Sequence, residues 1–129
     1  MSEAVVQQQA RLELARTGGL IWRNTVGACT DDTGRMIRYG LCNDSAQMNR
    51  SIASSDLIGV TPMVIGPEHV GRTIGVFTAV ECKRRGWRLT PADARGHAQA
   101  KFIALVKSVG GIAGFVSDPS HIKQLLDNW

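Results

Sequence analysis

At 129 residues, 43% apolar and 20% charged, the chain is sized for one domain with a single core, and no apolar run approaches the roughly 18 residues that a membrane helix needs. Its net charge of +4 comes from fifteen basic residues, eleven of them Arg, set against eleven acidic ones, a bias toward the planar fork that suits phosphate oxygens. Cys29, Cys42 and Cys82 are odd in number and show no C-x-x-C spacing, which argues against a disulfide frame or a structural zinc and for reduced thiols. The start, Met1-Ser2-Glu3-Ala4, lacks a basic stretch followed by an apolar one, so a cytoplasmic location without membrane attachment is expected.

The expected elements follow in chain order. Ser2 can cap a helix over residues 3–16, with Val6, Ala10 and Leu14 along one stripe and Thr17-Gly18-Gly19 ending it. Residues 20–29 read as a strand, Asp31-Asp32-Thr33-Gly34 as a turn, and residues 35–41 as the returning strand of a hairpin. Residues 43–55 are polar and read as a loop with one helical turn that delivers Asp56. Residues 57–60 form a short strand, residues 61–72 a long Gly/Pro connection, and residues 73–83 a central strand that lies next to it.

Thr90-Pro91 opens a helix to residue 109 with Ala98, Phe102, Leu105 and Val109 on its buried stripe and Gln99 beside it. Residues 112–116 read as a strand, and Ser117 or Asp118 caps a last helix to residue 127, with Pro119 in its first turn. No repeat, low-complexity tract or linker interrupts this α/β pattern, so residues 1–129 are expected to form one domain.

The chemistry concentrates in few charged residues. Side chains alternate along a strand, so Glu81 and Lys83 leave the apolar run Ile74-Gly75-Val76-Phe77-Thr78-Ala79-Val80 on the same face, while Cys82 turns to the other, where it is expected buried as a small apolar residue. Ionised groups at the end of a buried strand need partners or a metal. A divalent cation relieves the repulsion between two carboxylates such as Asp56 and Glu81, and oxygen donors suit Mg²⁺ or Mn²⁺ rather than zinc. A lysine on the same face can then donate to a phosphate oxygen or an attacking water, which is the arrangement of metal-assisted phosphodiester hydrolysis. Taken alone, E-x-K is more often a surface ion pair.

The basic loop Lys83-Arg84-Arg85-Gly86-Trp87-Arg88 directly follows. Arg84, Arg85 and Arg88 could hold a nucleic-acid backbone and Trp87 could stack on an unpaired base; the plainer readings are a solvated loop and a residue covering the core. His69, His97 and His121 show no metal-binding spacing, and no G-x-S-x-G elbow or phosphate-binding glycine loop occurs.

Several stretches, in order, extend the pattern: Trp22-Arg23-Asn24-Thr25-Val26-Gly27-Ala28, Arg38-Tyr39-Gly40-Leu41, Ser54-Ser55-Asp56-Leu57-Ile58-Gly59, Phe77-Thr78-Ala79-Val80-Glu81-Cys82-Lys83, Leu89-Thr90-Pro91, Gln99-Ala100-Lys101-Phe102-Ile103 and Gly110-Gly111-Ile112-Ala113-Gly114. With these the chain resembles the VRR-NUC family, the virus-type replication-repair nucleases of the PD-(D/E)xK superfamily. The resemblance implies a restriction-endonuclease-like core, a mixed central sheet flanked by helices in the order α-β-β-β-α-β-α. It implies Asp56, Glu81 and the Cys82 backbone carbonyl as Mg²⁺ or Mn²⁺ ligands, Lys83 as the catalytic lysine and Gln99 as its helical support. An acid of the first helix often completes such sites; Glu3 is the candidate, on one helical face with Gln7 and Arg11, and Glu13 its competitor. Arg23, Asn24, Arg38, Ser54 and Ser55, together with the basic loop, are the expected nucleic-acid contacts.

The implied activity is a metal-dependent DNA endonuclease selective for branched, flapped or Holliday-junction DNA, of the kind used by phages in replication, repair and recombination. It would act in a bacterial host cytoplasm and as a homodimer, since a junction offers two scissile strands. The rival readings are a nucleic-acid-binding module on the same fold without turnover, and a nuclease that needs a partner for targeting.

Overall fold

The computed structural model describes residues 2–129, a mixed α/β chain of four α-helices and small sheets. It resolves into two compact units, one ending at Gly59 and one beginning at Val60. No helix among the described residues is long and apolar enough to cross a membrane.

In the first unit, α1 (Glu3–Ala15) starts where the Ser2 side chain accepts from Val5 N, as its sequence position led one to expect. Its expected Val6 and Leu14 stripe stays exposed, and only Gln7 and Ala10 are half-buried. The single strand expected over residues 20–29 is two strands, β1 (Leu20–Arg23) and β2 (Gly27–Thr30), because each half has a different partner: β1 pairs with β4 (Leu57–Val60), and β2 with β3 (Met36–Tyr39).

Asn24 makes the transfer between them. Its backbone N–H donates to Asp56 O at 2.8 Å, its Nδ2 donates to Ser54 Oγ and Ser55 O at 2.7 and 2.8 Å, and its Oδ1 accepts from Leu41 N at 3.2 Å. The expected hairpin is present, with β2 and β3 antiparallel and Ala28 opposite Arg38. Its turn is closed by Asp31 Oδ1, which accepts from Thr33 Oγ1, Thr33 N and Arg35 N at 2.6, 2.9 and 2.9 Å, and by Gly34, whose φ of 80° lies in the region glycine favours. The polar stretch before Asp56 carries a full short helix, α2 (Ala46–Ser51), capped by Ser45.

Asn43 is the buried side chain of this unit, 2% exposed. Both polar atoms of its side chain are engaged, and so is its backbone carbonyl: Nδ2 donates to Gly27 O and Tyr39 O, each at 2.8 Å, while Oδ1 and the backbone carbonyl accept from Arg38 at 2.7 and 3.0 Å. A buried amide is tolerated because it is fully satisfied.

In the second unit, a long connection with one 3₁₀ turn (Pro67–His69) leads to β5 (Thr78–Cys82), which pairs in parallel with β6 (Ile112–Val116). The central strand expected over residues 73–83 is shorter because its ladder is with the five-residue β6 and not with the strand at residues 57–60, which pairs with β1. A parallel pair needs a crossover, and α3 (Ala94–Ser108) provides it. This helix begins four residues later than Thr90-Pro91 suggested, because Asp93 caps it: the Asp93 carboxylate accepts from Gly96 N at 2.8 Å.

The inward stripe of α3 is Gly96, Gln99, Ala100, Ile103 and Val106, one position rotated from the expected Ala98, Phe102 and Leu105; Phe102 and Leu105 are exposed. Val106, Ile112, Ala113 and Val116 make the buried apolar core, and α4 (Ser120–Asp127) lays Leu125 against Gly114. Cys82 is exposed, contrary to its expected burial, because β5 ends there and nothing covers its outer face.

Two outcomes follow for the first unit. Asn43→Ala removes the partner of two carbonyls and of one Arg38 N–H in a buried place, so it should lower the unfolding free energy by about 3 kcal/mol in urea titrations. The Thr33 hydroxyl first, then the Arg35 N–H, holds the Asp31 carboxyl below its ordinary value of 3.8. The folded state therefore favours the ionised form, so this contribution is complete above 3.8 and is lost as pH falls through the lower folded value. Asp31→Asn should accordingly flatten the fall in stability measured between about pH 5 and pH 2.

Candidate active site

The second unit brings three of the expected site residues together. Glu81 and Lys83 leave the end of β5 on the same side, as alternation requires, and their charged groups lie 3.8 Å apart. Lys83 is held in line by its backbone, whose N–H donates to Val116 O at 2.8 Å and extends the β5–β6 ladder by one rung. From α3, Gln99 reaches in, and its Oε1 accepts from Lys83 Nζ at 2.7 Å. Rotation of the buried stripe explains this reach, since Gln99 stands on the stripe instead of beside it.

Magnitudes rank these contacts. The Glu81 carboxylate is 38% exposed and its separation from Lys83 is long, so their pairing contributes less than about 1 kcal/mol. The hydrogen bond from a charged ammonium to a half-buried amide is worth about 1.5–3 kcal/mol, the strongest single contact of the Lys83 ammonium. Two aromatic faces add to it: Lys83 Nζ stands 5.0 Å from the Trp87 ring centroid and 5.8 Å from that of Phe115.

A cleft of about 300 Å³ opens beside this group, lined among others by Glu81, Gln99, Arg95 and Phe102. Arg95 was not singled out by sequence reasoning. It lies one helical turn before Gln99 and so shares its face, a signal that becomes readable only once the inward face of α3 is known.

In the first unit, Asp56 is exposed at the entrance to β4 and borders two small clefts. One is shared with Glu3, Gln7 and Ala10 of α1, the other with Gln7, Arg23, Asn24 and Ser54. Of the two first-helix acids, Glu3 is therefore the one beside Asp56; Glu13 pairs with Arg16 in solvent. Gln7, on the same helical face as Glu3, is a second residue at this place.

The expected nucleic-acid contacts divide by their engagement. Arg23, Arg84 and Arg88 are exposed, and Arg85 reaches Asp118 at 3.1 Å. Arg38 is instead committed to Asn43, and Asn24, Ser54 and Ser55 are bound to one another and to Leu41, so these four serve the framework of the loop that carries Asp56. Trp87 is half-buried against Phe115, with ring centroids 4.7 Å apart and planes tilted by 42°. The three histidines each bind backbone: His69 Nδ1 accepts from Gly66 N, His121 Nδ1 accepts from Ser117 N, and His97 Nε2 meets Thr90 O.

Among the described residues no three His, Cys, Asp or Glu side chains converge on one point. The β5–α3 cleft nevertheless offers the Glu81 carboxylate as an oxygen donor, with no histidine or thiol lining it; the Gln99 amide oxygen is taken by Lys83, and Arg95 adds a positive charge. That donor chemistry fits Mg²⁺ or Mn²⁺, which keeps several waters and takes only one or two protein carboxylates. Neither a protein-family model, nor a curated protein, nor a solved structure matches the chain.

Proposed function

We propose that the protein is a Mg²⁺- or Mn²⁺-dependent DNA endonuclease of the VRR-NUC type, with a restriction-endonuclease-like core, acting on branched, flapped or Holliday-junction DNA. The observation that carries this reading is the convergence of Glu81, Lys83 and Gln99 at the end of the parallel strand pair, with the ammonium 2.7 Å from the glutamine and 3.8 Å from the carboxylate. A structural ion pair has no need of an amide brought from a separate helix to hold its lysine. A site that must present an ammonium at a fixed point does need it.

In this reading Glu81 and the Cys82 carbonyl hold the cation, and Asp56 has a carboxylate ligand's role by resemblance, with Glu3 beside it. The bound cation would supply an acidified water and neutralise charge on the scissile phosphate. The chain's own residues do the rest. Lys83 donates to a phosphate oxygen or orients the water, and Gln99 keeps its ammonium from swinging away. Arg95, Arg84 and Arg88 offer exposed guanidinium groups to the DNA backbone. Cutting both strands of a junction calls for two active sites, which a two-fold homodimer provides.

Glu81 is half-exposed and outside the core, so Glu81→Ala should fold normally yet lose at least about a hundredfold in cleavage rate, as removal of an electrostatic anchor does. Full activity of that variant in a clean preparation would refute the assignment; metal-independent binding without any cutting by the wild type would select a non-catalytic binding module. Arg95→Gln should weaken DNA binding measured in EDTA and reduce the slope of log affinity against log salt by roughly 1, the signature of one lost phosphate contact.

A further inference from the structure

We infer that Trp87 is a positioning residue for Lys83, held over the ammonium by the turn Arg84-Arg85-Gly86-Trp87; this rests on the reading of Lys83 as the acting group. A lysine ammonium is a compact charge on a flexible four-carbon stem, so one hydrogen bond to Gln99 holds it near α3 but does not fix the direction from which the stem approaches. The structure supplies the missing restraints. After β5 the chain reverses at once: Trp87 N donates to Arg84 O at 3.1 Å, and Gly86 takes a φ of 81°, a conformation an L side chain adopts only with strain. At the tip of the turn the exposed Arg85 meets Asp118, just before α4, a weak surface contact.

The reversal returns the indole to the strand end it has just left. There it packs on Phe115, which the parallel register sets opposite Glu81, in a tilted aromatic pair. Both rings lie within about 6 Å of Lys83 Nζ, the range in which a ring quadrupole attracts a cation. Gln99 thus holds the ammonium from the helix side, and the two rings add attraction at the same point. The indole thus packs on Phe115 and Lys83 within the protein, in place of the base-stacking role expected for it; the Trp87→Leu variant separates the two roles.

The test uses the full chain with Trp87→Leu, which removes the π face, and Trp87→Phe, which keeps one. Two quantities are read: steady-state cleavage of a labelled branched DNA in Mg²⁺, and the NMR positions of the lysine Hε protons in ¹³C-lysine protein, with Lys83 assigned by its loss in Lys83→Arg. In the wild type the Lys83 protons should lie upfield of those of Lys101, Lys107 and Lys123 through the ring currents. Trp87→Leu should reduce that shift to the part due to Phe115 and lower kcat about tenfold with KM little changed, and Trp87→Phe should restore most of both.

Lys83 protons unshifted in the wild type would overturn the inference. So would wild-type kcat in Trp87→Leu, or a rise in KM confined to substrates with single-stranded segments, which would restore the base-stacking role. If the wild type cuts no substrate, the nuclease reading fails, and the NMR comparison alone decides whether Trp87 positions Lys83.

Discussion

The register of the parallel pair β5–β6 is the constraint on which the candidate site depends. It sets Glu81 opposite Phe115 and lets Lys83 close the last rung on Val116. A slip of one residue would turn every side chain of β5 to the other face, taking Glu81 and Lys83 away from Gln99. The register is secured by burial, since β6 is the most enclosed strand among the described residues and Val106 of α3 packs against Gly111 just before it. Charge is thus presented by the end of an element whose middle is the core, an economical way to combine a rigid backbone with solvent access.

The first unit solves a related problem with polar side chains. Its strands are short, and two asparagines do what longer ladders would otherwise do: Asn24 gathers the segments around Leu41 and Ser54–Asp56, and Asn43 gathers the hairpin through Gly27, Tyr39 and Arg38. Such networks are specific because a half-satisfied member costs more than an apolar one. Asn24, Arg38, Ser54 and Ser55, expected as nucleic-acid contacts, also build the framework around the loop from which Asp56 projects.

What could be read from the sequence follows the strength of the local signal. Residues 57–60 and 112–116 are strands with the expected bounds, because apolar β-branched runs between turn residues have one good solution. Ser2, the Asp31 turn and the hairpin were equally legible, since side-chain capping and glycine turns act over a few residues. Strand lengths were not, because they are set by the partner: residues 20–29 break where the pairing changes from β4 to β3, and β5 is only as long as β6. The α3 stripe lies one position from the expected one because Ala, Phe and Leu occur on two neighbouring faces, and the partly buried face is the one carrying Gln99. The same rotation brings Arg95 to the cleft. The Glu81-Cys82-Lys83 motif was visible, whereas the return of Trp87 onto Lys83 depends on a left-handed Gly86 and a register that no local pattern reveals.

The most direct measurement is cleavage of labelled four-way-junction, flap, single-stranded and linear duplex DNA with Mg²⁺, with Mn²⁺, with EDTA, and with metal restored after chelation. A metal-dependent nuclease for branched DNA should cut junction or flap substrates in either metal, stop in EDTA and resume when the metal is returned. Absence of cutting on every substrate, or cutting that continues undiminished in EDTA, would contradict it.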